Sequence, residues 1–441
     1  MLVEGVILSI SKSMNKLLER KINEEEYLVI MQFKKDGDVY FGFTRNLGYL
    51  DLEKTLFFRS RFKDVGVNSI YLSPETLSIF ELYLPVPSCP NEVKEKLIMN
   101  ILKDNPFLTY ETNTSLIKTS VYPVKFIERK LSKERGCFIL GFGGYVREYV
   151  LHFFRDEMIA ALDYKAEIIK RHYGSNFPIY HRFDDILEEI AKVKKPLVIV
   201  STYHSDHAWM TKEVLECNQS AYVFVEKPPA VTNEDADILF NLRQNGGWID
   251  IGFNRRYSLF SHIICNFLQD SEAPFHITFL VKELKIPRNH WYFWPNQGTR
   301  VLGNGVHWVD LLRFFTKKNV SNFFVVGRDG NLTVSVELED NSVCEIIITD
   351  IGDDFYGVEE YIEVRFNDTT IKLYDYRELE VRNKYKSLHY RKRRRDKGHF
   401  KMYSTLRENF LNGGVPLYPA DDILWVTRFC NEVVQYMKEK E

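Results

Sequence analysis

The chain has no CxxC pair. Its six cysteines stand singly at positions 89, 137, 217, 265, 344 and 430 of 441. That spacing provides neither a zinc cluster nor a disulfide framework, so reduced, buried thiols in a cytosolic protein are expected, and no metal. No apolar run reaches the roughly 18 residues that span a membrane. The opening MLVEGVILSI lacks the basic region and small-residue cleavage site of a signal peptide. A membrane association is therefore not expected, and the expected location is cytoplasmic. An excess of one charge is lacking as well. The formal net charge of −2 gives no general reason for a nucleic-acid partner. The one basic run, YRKRRRDKGH at 390–399, reads as a solvated connector. Aromatic residues, by contrast, are plentiful, with 25 Tyr and 32 Phe. A dense core or a sugar-stacking surface uses such residues, and the core is the default. The length exceeds what one core holds, so two or three domains are expected.

Hydrophobic patterning divides the chain into three segments. Residues 1–130 form an α+β domain of unassigned role, in which EEYLVIMQF and DVYFGFT read as strands split by the turn KKDGD. LSKERG is a charged connector. Residues 136–252 alternate strand and helix. The strands are CFILGFG, MIAALDY, PLVIVST, AYVFVEKP and WIDIGFN. The helices are YVREYVLHFF, AEIIKRHYG, FDDILEEIAKV with Asp184 or Asp185 as cap, HAWMTKEVLECN, and NEDADILFNLRQNGG stopped by Gly246. Repeated β-α units imply a doubly wound parallel sheet, a Rossmann domain. Residues 253–441 read as an α+β domain with an open, mostly antiparallel sheet: LTVSVEL and VCEIIIT flank the hairpin signal EDNS, and two helices near 400–412 and 421–438 finish the chain.

The turn from Gly141 to Tyr145 carries the chemistry. Gly141 and Gly143 match the first two positions of G-x-G-x-x-G, with Gly144 beside them and Val146 where the third small residue belongs. The first glycine makes the turn, and the second lets the backbone approach a pyrophosphate. Asp163, 22 residues beyond Gly141, ends the next strand. A carboxylate there accepts from the ribose hydroxyls of NAD and repels a 2′-phosphate, although capping the next helix is the plainer role. Lys165 softens that repulsion, so NAD is expected and NADP is left open.

VFVEKPPAVT at 223–232, IGFNRRYS at 251–258 and GNGVHWVDLLRFF at 303–315 resemble the Gfo/Idh/MocA oxidoreductases. The resemblance covers about residues 136 to 441. His290-Trp291 and DKGHF…ENFLNGGVPLY at 396–418 look like the second half of the bi-domain oxidoreductases. The zinc alcohol-dehydrogenase-like half of those proteins has no counterpart in residues 1–130, whose function is not carried over. The resemblance implies an NAD(P)-dependent oxidoreductase acting on a secondary alcohol or ketone of a sugar or sugar derivative. It implies that Lys227, with Glu226 before it, lies near the nicotinamide and orients or polarises the reacting oxygen. His307 matches the family's catalytic histidine and would be the general base, or else a core histidine on an apolar helix face. The family's acid, four residues earlier, is Gly303 here, followed by Asn304, which would contact substrate instead. Thr202 and His207 keep the outer positions of a loop beside the cofactor, and Tyr203 and His204 replace its central ones. The His204/His207 spacing lacks the acidic or cysteine partners of a metal site. Arg255 and Arg256 suit an anionic or polyhydroxyl substrate or form an inter-domain ion pair. PRNHWYFWPNQGTR at 287–300 is a substrate loop, with aromatics for stacking and Arg288, Asn289 and His290 for hydroxyls. The open sheet is the family's usual dimerisation surface, so a homo-oligomer is expected. The rival reading is a dinucleotide-binding sensor, or a subunit that docks a protein partner through residues 1–130.

Overall fold

The computed structural model describes residues 6–10, 29–35, 38–44, 56–60, 88–105, 108–110, 134–164, 177–180, 182–269, 273–287 and 290–440. The expected helix AEIIKRHYG, Lys165, Arg288 and Asn289 lie outside them. The chain divides into two compact units, Met1–Arg129 with Tyr164–His181, and Lys130–Asp163 with Arg182–Glu441.

In the first unit five strands pair antiparallel in chain order: β1 (Val6–Ile10), β2 (Val29–Lys35), β3 (Asp38–Thr44), β4 (Leu56–Ser60) and β5 (Leu108–Tyr110). The β2–β3 pair falls where KKDGD splits two strand-like runs. Helix α1 (Asn91–Asp104) begins after Pro90, which lacks the amide a helix interior needs. It buries Leu97, Ile98 and Ile101.

The second unit contains a parallel sheet. Five of its strands run in the order β10-β9-β8-β6-β7, where β6 is Arg135–Leu140, β7 Met158–Leu162, β8 Lys195–Val200, β9 Tyr222–Glu226 and β10 Trp248–Gly252. Every adjacent pair among them is parallel. Both faces are covered, so Phe138, Ile139 and Leu140 are all fully buried, as are Leu197 through Val200. The covering helices include α2 (Val146–Phe154), α3 (Phe183–Ala191), α4 (His207–Cys217) and α5 (Asn233–Gln244). A correction applies to α3. It starts at Phe183, so Asp184 and Asp185 lie in its first turn and Arg182 occupies the cap without a side-chain bond. Carboxylates inside the first turn still complement the positive end of the helix. Thr232 caps α5 with a full capping box, since Asp235 donates its amide to the threonine and its carboxylate receives the threonine amide.

Beyond α6 (Leu259–Gln269) the second sheet has eight strands. They are β11 (Phe275–Lys282), β12 (Val320–Arg328), β13 (Asn331–Leu338), β14 (Val343–Thr349), β15 (Glu359–Phe366), β16 (Thr369–Tyr374), β17 (Glu378–Arg382) and β18 (Ser387–Arg391), in the order β12-β13-β14-β11-β15-β16-β17-β18. Only β11–β14 is parallel. Burial alternates along the inner strands β11 and β13–β17, because one face packs on helices α7 (Val306–Thr316) and α9 (Ala420–Lys438) and the other is open. Leu280, Phe324, Val326 and Tyr374 are exposed on the open side. Helix α8 is His399–Asn412. Among the described residues no helix is long and apolar enough to cross a membrane.

A buried charge cluster joins the sheets. Arg256 bonds both oxygens of Asp310 at 2.6–3.0 Å and reaches Asp422 at 2.9 Å. Tyr418 donates to Asp310 at 2.8 Å. Removing one partner strands a desolvated charge. We expect Asp310→Ala to cost about 3–5 kcal/mol in denaturant unfolding followed by tryptophan fluorescence. Arg365→Ala, at an exposed pair with Glu363, should change stability by under about 1 kcal/mol.

Candidate functional site

The parallel sheet reverses its winding between β6 and β8. The chain goes from β6 to β7 on one side and then returns through β8, β9 and β10 on the other. A crevice opens outside the carboxyl ends of strands at such a reversal. Gly141 sits there with φ +92°, and a Cβ on it would stand 2.4 Å from the Ser201 carbonyl oxygen, so no other residue fits. Its amide donates to the Leu162 carbonyl at 2.8 Å, and Ser201 donates its amide to the Leu140 carbonyl at 2.7 Å. Ser201 Oγ adds a bond to the Gly141 carbonyl at 2.8 Å. Beyond this anchored point the loop is open: nothing lies within 4 Å of a Cβ built on Gly143, and a Cβ on Gly144 would meet just the end of Arg147, at 3.7 Å. Asp163 follows β7, and its carboxylate accepts from the Phe142 amide at 3.1 Å. A bare, open loop with a carboxylate at its flank fits a dinucleotide. Val146, at the position of the missing third small residue, is buried. Helix α2 opens there with a wide π-turn over Val146–Val150.

A hydrogen-bonded chain leads from this loop to the end of β9. Tyr145 Oη lies 2.8 Å from Tyr403 Oη on α8, and Tyr403 donates to the buried Glu226. Burial pushes the Glu226 carboxyl up to about 7, against the opposing pull of the Tyr403 hydroxyl and the neighbouring Lys227. Lys227 follows, with a cis bond to Pro228. Its ammonium donates to the Gly303 carbonyl at 2.8 Å, so the lysine spans from the first sheet to the turn before α7.

Two buried polar atoms lie at that turn and at the start of α7. Asn304 Oδ1 and His307 Nδ1 have no hydrogen-bond partner among the described residues. Burial holds the His307 imidazole well below its usual range, and the charges of Arg255, Lys227, His399 and Lys397 act the same way. The neutral ring faces Phe253 edge-on. A buried polar atom without a protein partner is satisfied by water or by a bound molecule. Lys227, Gly303, Asn304 and His307 are thus brought together.

Other expected residues lie elsewhere. Arg255 and Arg256 are buried in ion pairs and do not present free guanidinium groups to a substrate. Arg255 pairs with Glu360, which Lys397 also contacts at 2.8 Å, and stacks 4.7 Å from the Trp308 ring. The guanidinium of Arg256 faces Asp310, Asp422 and the Tyr418 ring. Two adjacent arginines look the same in sequence whether their acids are nearby in the fold or absent, so this pairing was not legible. Asp310 takes Arg256 as its partner, while Arg313 goes to Asp422. His207 lies beneath the lysine turn. Its Nδ1 is 2.7 Å from the Pro228 carbonyl and its Nε2 3.4 Å from the Thr202 carbonyl. Burial pushes this ring down to about 4. It is a strut for Lys227–Pro228, and Thr202 Oγ1 turns to Met210 Sδ at 3.6 Å. His290 caps the short turn Trp291–Phe293 by accepting from the Tyr292 amide. The basic run near 390–399 is tied down by Lys392–Asp396, Arg395–Asp375 and Lys397–Glu360.

Sequence reasoning missed Tyr403, Gln297 and the contact of His204 Nδ1 with the Gln297 carbonyl at 3.1 Å. No local signal marks Tyr403, which lies 177 residues from its partner Glu226.

No protein-family model and no curated protein matches the sequence. Solved structures do match. Aldose-aldose oxidoreductase from Caulobacter crescentus, complexed with glycerol, superposes with a TM-score of 0.59 at 16% identity, over 70% of this chain and 98% of that one. Myo-inositol dehydrogenase from Lactobacillus casei, in complex with NAD(H) and myo-inositol, gives 0.56 at 16%, over 70% and 96%. GenD2 from gentamicin A biosynthesis, in complex with NAD, gives 0.58 at 15%, over 72% and 98%. Over about 70% of its length the chain shares the fold of these proteins. In this fold the parallel sheet and the open eight-stranded sheet follow one another, as the motifs from residue 136 onward imply.

Glu226 gives a test of the site's electrostatics. Its carboxyl is raised in the folded chain, so the neutral form is favoured there. The stability this contributes is full below the ordinary glutamate range and is lost as pH rises through about 7. Glu226→Gln stays neutral throughout. Its melting temperature relative to the parent should therefore rise from pH 5 to pH 8, which thermal scans across that range would check.

Proposed function

We propose that the chain is an NAD(P)-dependent oxidoreductase that passes a hydride between nicotinamide and a secondary alcohol or ketone of a sugar or sugar derivative. The observation that carries this reading is the convergence of Lys227, Asn304 and His307, two of them with buried polar atoms that lack a partner among the described residues, near the reversal point that Gly141 and Asp163 flank. The dinucleotide would lie along Gly141 to Tyr145 with its ribose at Asp163, and it supplies the hydride chemistry when bound. Lys227 holds an ammonium where it stabilises negative charge on the reacting oxygen. Neutral His307 and Asn304, whose Nδ1 and Oδ1 have no partner among the described residues, would contact the substrate's hydroxyls. The glycerol and myo-inositol bound in two of the similar structures support the substrate class. We place NAD ahead of NADP because of Asp163. A homo-oligomer would use the exposed apolar residues on the open sheet face, and the chain acts in the cytoplasm.

The test is titration of the full chain with NAD+, NADH, NADP+ and NADPH by tryptophan fluorescence, followed by a polyol and sugar screen. NADH should bind, and Asp163→Ala should weaken it about tenfold. Lys227→Ala should keep binding and lose about 10²–10⁴-fold in turnover. Binding with no turnover of any sugar by the parent would favour the sensor reading. No binding at all would end the dinucleotide reading.

A further inference from the structure

We propose that His204 is a second catalytic residue of this site, accepting the substrate's hydroxyl proton on Nε2. The inference rests on the oxidoreductase reading above. Its first support is the tautomer. His204 Nδ1 lies 3.1 Å from the backbone carbonyl oxygen of Gln297, which accepts and never donates. The ring proton is therefore on Nδ1, and Nε2 keeps its lone pair. Gln297 is itself fully buried and fixed. Its side-chain amide donates to Ser205 Oγ at 2.8 Å and Asn296 Oδ1 at 3.1 Å, and its Oε1 receives the Ser205 amide at 3.4 Å. The loop that carries the imidazole is thus bonded to the residue that orients it.

The second support is position. A Cβ built on Gly303 would stand 3.3 Å from His204 Cε1, the carbon between the two ring nitrogens, and 2.8 Å from Tyr292 Cε2. The imidazole and the tyrosine ring fill the space that any side chain at 303 would take. The same glycine receives the Lys227 ammonium on its carbonyl oxygen. His204 and Lys227 therefore meet at one residue, the residue that precedes Asn304.

The third support is a contrast with His307. A proton acceptor needs a partner that sets its ring orientation. His307 Nδ1 has none among the described residues, whereas His204 has one. The rings of Trp291 and Tyr292, centred 4.7 and 5.0 Å from the imidazole, flank it and exclude water. Burial, with the charge of Lys227 next, keeps the ring neutral near pH 7.

In the step, the hydroxyl O–H bond breaks and its proton binds His204 Nε2. The C–H bond on the same carbon breaks, its hydride passes to an oxidised nicotinamide dinucleotide, and the carbonyl forms. The alcohol is oxidised and the dinucleotide reduced. Lys227 stabilises the oxygen while the proton leaves.

His204→Asn is the discriminating variant. The asparagine amide can keep the bond to the Gln297 carbonyl but has nothing in place of Nε2. With the full chain, NAD+ and a polyol panel starting from myo-inositol, H204N should bind NADH within threefold of the parent. It should hold KM within a few-fold and lose kcat by about 10²–10⁴. The acidic limb of the parent's pH–rate profile should disappear. Ring ¹⁵N spectra of the chain without cofactor should show His204 protonated on Nδ1. An H204N turnover within threefold of the parent, or an Nε2–H tautomer, overturns the role of His204. Failure of the parent to bind NADH overturns the oxidoreductase reading itself. Binding without oxidation of any polyol overturns the catalytic role and leaves the dinucleotide site standing.

Discussion

The close approach of two backbones, at Gly141 and Ser201, is the constraint on which the site depends. Strands β6 and β8 are neighbours in the sheet yet wind away from each other in sequence, so their carboxyl ends part and leave a crevice. The crevice keeps its shape because Gly141, with its left-handed φ, passes within what would be 2.4 Å of the Ser201 oxygen from an added Cβ. Bonds to Leu140 and Leu162 then lock the turn to the strands on both sides. Everything beyond this point, the open loop at Gly143 and the loop carrying His204, is aimed by it.

A second layer of order comes from long-range polar contacts. Lys227 reaches Gly303, Tyr403 reaches Glu226, and Gln297 reaches His204 and Ser205. Each links an element of the parallel sheet to an element that follows it. Because these groups are buried, each bond is worth more for what its loss would expose than for what it adds. The Arg256–Asp310–Asp422 cluster belongs to the same layer. Of the two roles open to Arg255 and Arg256 in the sequence, ion pairing is the one their buried partners provide.

The glycine at 303 is best understood from its surroundings. It replaces an acid in the resembled family, which by itself suggests a weakened site. In the fold, the Tyr292 ring and His204 stand where that side chain would be. The loss of one side chain and the presence of two others are parts of one packing arrangement.

The sequence by itself determined the order of elements from residue 136 onward. Continuous apolar runs such as CFIL and LVIV mark strands covered on both faces, and alternation in LTVSVEL marks strands covered on one. It also singled out Gly141 and Asp163 by turn pattern and spacing, and Lys227 and His307 by the family resemblance, because such motifs are local and need no knowledge of distant residues. Local pattern misplaced the cap of α3, where Arg182 took the position expected of an aspartate. Tertiary structure decided which ionisable groups are neutralised by partners and which are left free. Arg255 and Arg256 were consumed by Glu360, Asp310 and Asp422, while His204 was given an orienting carbonyl 93 residues away. The physical reason is that charge pairing and desolvation depend on distances through space, which residues far apart in the chain acquire only once the sheets are packed.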